Sequence, residues 1–198
     1  MDVPRPSSLV SRLSSLVPRP SSFVLSSLVH RPNSRYLTSF TGCAIIYTMR
    51  IYIDTSVING LFSQDINVKI PTKNFFDFVR KTGSVIYSAD LIVKEIDRTP
   101  QESKRNALKE ALAENDVEFL SLSDEIEKIA NIYIREKVIP TRYLPDAIHI
   151  ATASIHNIPI LISWNFEHIV KLKTKVEINR INRQLGYPQI DISSPREV

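Results

Sequence analysis

The sequence predicts an α/β fold in which helices flank a mainly parallel central sheet. Short apolar runs of strand length alternate along the chain with longer segments of helical periodicity, which is the pattern of repeated strand–helix units. The runs are apolar almost throughout, as expected of parallel strands that are buried on both faces. An apolar fraction of 43% with 23% charged residues is typical of a globular protein with a substantial core.

The first 48 residues differ in composition from the rest. PRPSSLVSRLSSLV at 4–17 is followed by PRPSSFVLSSLVHRP at 18–32, a near-repeat with a 14-residue period. Its prolines exclude a continuous helix, and its period is shorter than the units of roughly 20 residues that build repeat folds. We therefore predict a low-complexity, disordered extension over 1–48 and one folded domain over 49–198.

Two other interpretations of the extension stay open. Its Arg-rich, Ser-rich and acid-poor composition also resembles an organellar transit peptide, although the proline spacing suits a targeting helix poorly. Alternatively, the functional start is Met49, directly before the first strand of the domain.

Charge and cysteine content narrow the class of protein. Five of the 25 basic residues but one of the 21 acidic residues lie in 1–48, so the excess positive charge belongs to the extension and the domain is neutral. The single cysteine, Cys43, excludes an intrachain disulfide and a cysteine-based metal cage, and it agrees with a reducing cytoplasmic location. No apolar run approaches the roughly 18 residues of a membrane span.

In the first half of the domain, two apolar strands are separated by helices. Phe75, Phe76 and Val79 give the second helix a buried face, and Gly83 ends it. Pro100 suits the first position of a further helix. In order, the sequence predicts a strand over 50–54, a short helix from TSVINGLF, a helix over 72–82, a strand over 84–88, a helix over 89–97 and a helix from Pro100.

The second half repeats the alternation. Ser123 can cap a helix whose apolar stripe includes Ile126 and Ile129. The predicted elements are a strand over 117–122, helices over 123–138 and 144–157, a strand over 159–163, a helix over 175–186 and a strand over 189–192.

Asp54 stands at the end of the apolar strand, after Ile51, Tyr52 and Ile53. A carboxylate there is costly to desolvate unless its charge is used. Ligands of such sheets bind beyond the carboxyl ends of the strands, so Asp54 is a candidate site residue. Asn165 holds the equivalent position after the fourth strand.

Two further acids are predicted to face the same place. Glu95 follows Leu91 by four residues and so shares an edge with the inward face of its helix, although a glutamate at such a rim is common. Asp146 opens a helix that is apolar nearly all round, although an acid there also simply favours the helix dipole. Three carboxylates and one carboxamide form a hard oxygen environment suited to Mg²⁺ or Mn²⁺.

The segments MRIYIDTSVING, YSADLIVKEIDRT, LPDAIHIATASIHNIPILISWNFEHI and SPREV together resemble the PIN-domain family, specifically the VapC-like ribonuclease toxins of type II toxin–antitoxin pairs. The resemblance covers essentially all of 49–198 and none of 1–48. It implies a three-layer fold with strand order 3-2-1-4-5, metal-dependent cleavage of RNA, a homodimer and a cognate antitoxin protein.

The family's three acids fall on Asp54, Glu95 and Asp146, which the resemblance makes catalytic and metal-binding residues. Its fourth polar position, often aspartate, falls on Asn165, and this departure removes one negative charge and weakens a second metal site. Thr55 matches the small hydroxyl residue that supports the site.

The expected function is therefore metal-dependent hydrolysis of RNA phosphodiester bonds. The alternative is a catalytically weak or inactive PIN domain that binds RNA or protein, because Asn165 replaces an acid. A different enzyme class, the aspartyl-phosphate phosphatases, also places an aspartate after its first strand. That class needs a second acid two residues after Asp54, and because Ser56 occupies this position the sequence disfavours it. His149 shares a helical face with Asp146 but matches a position that is not a ligand in the family, and we interpret it as structural.

Overall fold

The computed structural model describes residues 37–41 and 44–198, with side chains from residue 48 onward. Strands β1 (Leu37–Thr41) and β2 (Ala44–Thr48) pair as an antiparallel hairpin. This hairpin occupies the last part of the segment predicted to be a low-complexity extension. The rest of that segment lies outside the described residues, so the predicted boundary at residue 49 stays a prediction.

The central sheet has five strands. In chain order they are β3 (Arg50–Ile53), β4 (Val85–Ala89), β5 (Glu118–Leu120), β6 (Ile160–Ile162) and β7 (Asp191–Ser193). Their order across the sheet is β5-β4-β3-β6-β7, and every neighbouring pair is parallel. Numbered from β3, this is the order 3-2-1-4-5, so the predicted fold class is confirmed.

Helices connect the strands. They are α1 (Thr55–Gly60), α2 (Ile66–Thr82), α3 (Leu91–Asp97), α4 (Glu102–Glu114), α5 (Asp124–Arg135), α6 (Leu144–Ile155) and α7 (Leu172–Leu185), with short 3-10 helices at Thr141–Tyr143 and Pro195–Glu197. In the described part of the chain, no helix has both the length and the apolar character needed to cross a membrane.

Helix α2 begins earlier than the sequence predicts. Asp65 caps it by accepting a hydrogen bond from the backbone N–H of Asn67, and Pro71 lies inside it. A proline inside a helix leaves the carbonyl four residues earlier without its usual donor. Here that carbonyl belongs to Asn67 and accepts hydrogen bonds from the guanidinium of Arg196, so the helix continues through the proline.

Two apolar clusters cover the two faces of the sheet. Because side chains alternate along a strand, Tyr52 faces the cluster built with α5, α6 and α7, whereas Ile51 and Ile53 face the cluster built with α1 to α4. Helix α6 is buried from Ala147 to Ser154, as its composition predicts. The carboxyl ends of the parallel strands meet at one edge of this three-layer structure.

Candidate active site

Asp54 joins strand β3 to helix α1. Its Oδ1 accepts hydrogen bonds from the Ser56 backbone N–H at 3.1 Å and from the Ser56 hydroxyl at 2.5 Å. An aspartate in extended backbone is a favoured helix cap, so the sequence DTS ends the strand and starts the helix at once. The side chain is only 4% exposed, and the predicted strand-end carboxylate is therefore buried.

Ser163 fixes the other oxygen of Asp54. It follows β6, the neighbour of β3, and its hydroxyl donates to Asp54 Oδ2 at 2.7 Å. The same hydroxyl accepts a hydrogen bond from the Asn165 backbone N–H at 2.8 Å. The sequence analysis did not identify Ser56 and Ser163 as site residues. The signal that could have identified them is a serine close to each strand end, in DTS and in SWN.

Glu95 reaches the site from α3. Its Oε2 accepts a hydrogen bond from the hydroxyl of Thr55, the residue predicted to support the site, and lies 3.2 Å from Nε2 of His149. The Thr55 hydroxyl therefore hydrogen-bonds to Glu95 and not to the Asp54 carboxylate. The structure thus connects the second predicted acid to residues on α1 and α6.

His149 is buried between Glu95 and Tyr52. Its Nδ1 lies 2.7 Å from the Tyr52 hydroxyl oxygen, which also accepts from the Ala89 backbone N–H at 3.0 Å. An ionised carboxylate only accepts hydrogen bonds, so in the neutral imidazole Nε2–H donates to Glu95 and Nδ1 accepts from the Tyr52 hydroxyl. His149 is buried, as expected of a structural residue. It also contacts Glu95, a predicted site residue, and the sequence did not indicate this contact.

Asp146 and Asn165 form a direct pair. The side-chain N–H of Asn165 donates to Asp146 Oδ2 at 2.8 Å, and its Oδ1 accepts from the backbone N–H of His168 at 2.9 Å. These two bonds fix the orientation of the carboxamide. Hydrogen bonds therefore run from Asp54 through Ser163 and Asn165 to Asp146.

The carboxyl groups differ in their electrostatic environments. Burial raises the pKa of Asp54, and nearby His149 and the hydroxyls of Ser163 and Ser56 offset this only in part. Burial and the negative charge of Asp54 raise the pKa of Asp146 to about 6. Burial opposes ionisation of Glu95 as well, but His149 and Thr55 outweigh it, so the Glu95 pKa is lowered. Extra positive charge at this site would favour the ionised forms of Asp54 and Asp146.

The oxygen donors of this site suit a hard divalent cation. Among the described residues, no three His, Cys, Asp or Glu side chains are arranged to hold one metal ion. The joint binding of one metal ion by three carboxylates therefore stays a prediction. Mg²⁺ is commonly held by one or two carboxylates together with water and substrate phosphates, so Asp54 and Asp146 are compatible with it.

A model of the PIN domain family matches residues 51–168 of this chain. The matched segment contains Asp54, Glu95, Asp146 and Asn165 together with the hydroxyl residues that hold them. No match was found among curated protein sequences.

Several solved structures are similar in fold. A toxin–antitoxin complex from Klebsiella pneumoniae has 19% identity, covers 63% of this chain and 93% of that chain, and has a TM-score of 0.47. VapBC2 from Rickettsia felis, bound to a DNA fragment from their promoter, has 10% identity, coverage of 74% and 98%, and a TM-score of 0.48. VapC20 from Mycobacterium tuberculosis, a sarcin–ricin loop cleaving toxin, has 12% identity, coverage of 71% and 98%, and a TM-score of 0.45.

Proposed function

The chain belongs to the PIN domain family, and on this basis we propose that it is a metal-dependent endoribonuclease that hydrolyses RNA phosphodiester bonds. The observation that carries the proposal is the convergence of its acids, because hydrogen bonds run from Asp54 through Ser163 and Asn165 to Asp146 at the carboxyl edge of the sheet. The charges of Asp54 and Glu95 both raise the pKa of Asp146, although the three residues lie directly after β3, on α3 and on α6. Buried acids that destabilise one another's charge are costly to the fold and are typical of functional sites.

We propose that Asp54 and Asp146 hold Mg²⁺ or Mn²⁺, with Glu95 as a further ligand or as a base that contacts the attacking water. When bound, such an ion lowers the pKa of a coordinated water and offsets negative charge on the phosphate. The hydroxyls of Ser56 and Ser163 would keep the Asp54 carboxylate oriented during the reaction.

Glu95 is suited to orient the attacking water. Thr55 and His149 both contact its Oε2, and among the described residues its Oε1 has no hydrogen-bond partner. Because the Glu95 pKa is lowered, the carboxylate is ionised at neutral pH and accepts a hydrogen bond from water. In the proposed reaction, water adds to phosphorus, the bond from phosphorus to the 3′ oxygen breaks, and that oxygen takes up a proton.

Asn165 would position the substrate side of the site. Its carboxamide already holds Asp146 at 2.8 Å, and as a neutral group it does not repel a phosphate. An aspartate at this position would add a charge beside Asp146. The proposed site therefore uses three carboxylates and one amide.

The proposal extends to protein partners. The sequence resemblance to VapC-like toxins implies a homodimer and a cognate antitoxin. Light scattering of the purified chain would measure its oligomeric state. Co-purification with the product of an adjacent short open reading frame would test the antitoxin, and a monomer that binds no such product would contradict this part.

Cleavage of structured RNAs by the purified full chain tests the main proposal. Reactions would contain Mg²⁺, Mn²⁺ or EDTA and would include the variants Asp54→Ala and Asp191→Ala. Asp191 is an exposed acid at the start of β7, away from the carboxyl edge, and serves as the matched control. Metal-dependent cuts by the wild type and Asp191→Ala, but not by Asp54→Ala, are expected.

A second candidate function is binding without cleavage. It is favoured by Asn165 in place of an acid and by the absence, among the described residues, of a three-ligand cluster. RNA that is retained by the protein but stays intact with either metal would support this candidate and contradict the nuclease proposal.

A further inference from the structure

A groove opens next to the acidic site. It lies between the connection from α1 to α2 and the start of α4, and it has a volume of about 670 Å³. This is within the range of about 300–1,000 Å³ that small-molecule ligands occupy. The residues that matter for its chemistry are Ser56, Asn59, Phe62, Gln64, Gln101 and Lys104.

Ser56 connects the groove to the candidate catalytic centre. It lines the groove, and its hydroxyl donates to Asp54 Oδ1 at 2.5 Å. A ligand in the groove would therefore lie within one side chain of the carboxylate proposed to act on the phosphate. For a polymeric substrate, the groove is therefore placed to receive a nucleotide next to the one at the acids.

The walls of the groove offer polar groups with free hydrogen-bonding capacity. Gln64 and Gln101 are exposed, and within the described part of the chain their carboxamides make no hydrogen bonds. The side-chain N–H of Asn59 donates to the backbone carbonyl of Thr55 at 3.0 Å. Amides that combine donors and acceptors match the edges of nucleobases.

Lys104 supplies the positive charge. It is exposed and, among the described residues, forms no ion pair. Among the described residues that line the groove none is acidic, although Ser56 joins the groove to the Asp54 carboxylate of the candidate site. A backbone phosphate can therefore pair with Lys104 without facing an acid among the described residues that line the groove. Phe62 adds a partly buried aromatic surface against which a base can pack.

We propose that this groove binds one nucleotide of a single-stranded RNA, directly beside the phosphate that is cut. Lys104 pairs with a backbone phosphate, and Gln64 and Gln101 contact the edge of the base. The inference rests on the proposed ribonuclease function and assigns its substrate-selecting subsite. Single-stranded RNA is favoured because its bases are free to enter a pocket, whereas those of a duplex are stacked and paired.

Two measurements test the subsite. The first is the affinity of the full-length Asp54→Asn protein for fluorescent single-stranded RNAs over a range of salt concentrations. The second is the set of positions at which a protein that retains Asp54 cuts the RNA. Each is repeated with Lys104→Ala and with Gln64→Ala combined with Gln101→Ala. Lys128→Ala and Gln189→Ala are the matched controls, because both residues are exposed and do not line the groove.

Lys104→Ala is expected to weaken binding of all sequences alike and to reduce the salt dependence by about 0.7, the value for one phosphate contact on a single strand. The double glutamine variant is expected to lose at least about fivefold in affinity for the preferred sequence and to cut at altered positions. The control variants should behave as the wild type.

Affinity and cut positions that stay within twofold of the wild type in both groove variants would overturn the subsite, while wild-type cleavage would leave the ribonuclease proposal standing. Conversely, if the wild-type protein binds RNA but never cuts it, the nuclease proposal is rejected, and weaker binding by the groove variants would then support nucleotide binding in the groove alone. Equal dependence on the groove for single-stranded DNA would overturn the assignment to RNA. Dependence found only for a protein partner would overturn it as well.

Discussion

The hydroxyl of Ser163 donates a hydrogen bond to Oδ2 of Asp54 at 2.7 Å, which joins the carboxyl ends of the neighbouring strands β6 and β3. The same hydroxyl accepts from the Asn165 backbone N–H at 2.8 Å. Ser163 thereby fixes both the carboxylate that would bind a metal and the segment that carries the carboxamide. Residues that orient a metal ligand in this way commonly change metal affinity by 10- to 100-fold when they are replaced.

Replacement of Ser163 by alanine should therefore weaken Mg²⁺ binding by about 10- to 100-fold. The reason is that Asp54 Oδ2 and the Asn165 N–H each lose their protein partner. Titration calorimetry with Mn²⁺ or Mg²⁺ on the purified protein measures the effect.

Ser154→Ala is the matched control for this change. Ser154 is also fully buried and hydrogen-bonded, but its partners are Ile150, Tyr133 and Asn182, away from the acids. It should cost stability without changing metal affinity. Equal metal affinity in the two variants would contradict the assigned role of Ser163.

Asp54→Asn should abolish cleavage and should raise the melting temperature of the metal-free protein at neutral pH. Burial raises the Asp54 pKa, so the fold disfavours the ionised form, and a neutral carboxamide removes that cost, less the hydrogen bond from Ser163 that an amide nitrogen in place of Oδ2 cannot accept. For a domain of this size, each kcal/mol gained raises the melting temperature by roughly 2–4 °C. Calorimetry in EDTA measures the shift. A lower melting temperature than that of the wild type would contradict the view that the ionised Asp54 carboxylate destabilises the metal-free fold.

Tyr52→Phe should reduce both stability and cleavage. It leaves the Ala89 N–H and Nδ1 of His149 without their buried partner, which costs about 1–3 kcal/mol of unfolding free energy. It also frees the imidazole that contacts Glu95. A decrease in the cleavage rate at saturating RNA, with little change in RNA affinity, is expected because Glu95 contacts the water and not the bulk of the substrate.

Tyr133→Phe separates these two effects. Tyr133 is as buried as Tyr52, and its hydroxyl hydrogen-bonds to Asn182, on the side of the fold away from Glu95. It should lower the melting temperature to a similar extent and leave the cleavage rate unchanged. Similar losses of cleavage in both variants would indicate that the role of Tyr52 is only structural.

Cleavage should increase with pH through about 6, the value to which burial and Asp54 raise the Asp146 pKa. The metal-free fold should follow the opposite trend. Since the folded pKa lies above the ordinary value of 3.8, the contribution of Asp146 to stability is fully present below 3.8 and is lost as the pH rises through about 6. Added Mg²⁺ should therefore raise the melting temperature more at pH 7.5 than at pH 5. An equal increase at both pH values would contradict a role for Asp146 in metal binding.

The sequence predicted the fold and the general location of the acids because both follow from local patterns. Short apolar runs marked the parallel strands, and the rule that ligands bind beyond strand ends selected Asp54 and Asn165. Helix α2 was predicted too short, over 72–82, whereas it begins at Ile66 and includes Pro71, a residue that ordinarily breaks a helix. Its continuation depends on Arg196, which lies far along the chain and supplies the missing donor.

The contacts within the site could not be predicted in the same way. His149 and Glu95 lie on α6 and α3, and their contact depends on how two helices dock on one edge of the sheet. Thr55 was predicted to support the site, but its hydrogen bond to Glu95 was not predicted. Periodicity identifies the face of a helix on which a residue lies, but it does not identify the residue opposite.

Asn165→Asp tests the electrostatic account of the whole site. The side-chain N–H of Asn165 now donates to Asp146 Oδ2 at 2.8 Å, and the substitution replaces this donor with a second negative charge. Like charges at contact disfavour ionisation, so the Asp146 pKa should rise above its present value of about 6 and the metal-free protein should be less stable at pH 7.5. A divalent cation would offset the added charge, so Mg²⁺ should raise the melting temperature more than in the wild type.

Asn179→Asp is the control, because Asn179 pairs with the backbone of Ile190 and not with an acid. If Mg²⁺ stabilises Asn165→Asp no more than it stabilises the wild type, no divalent cation binds beside Asp146.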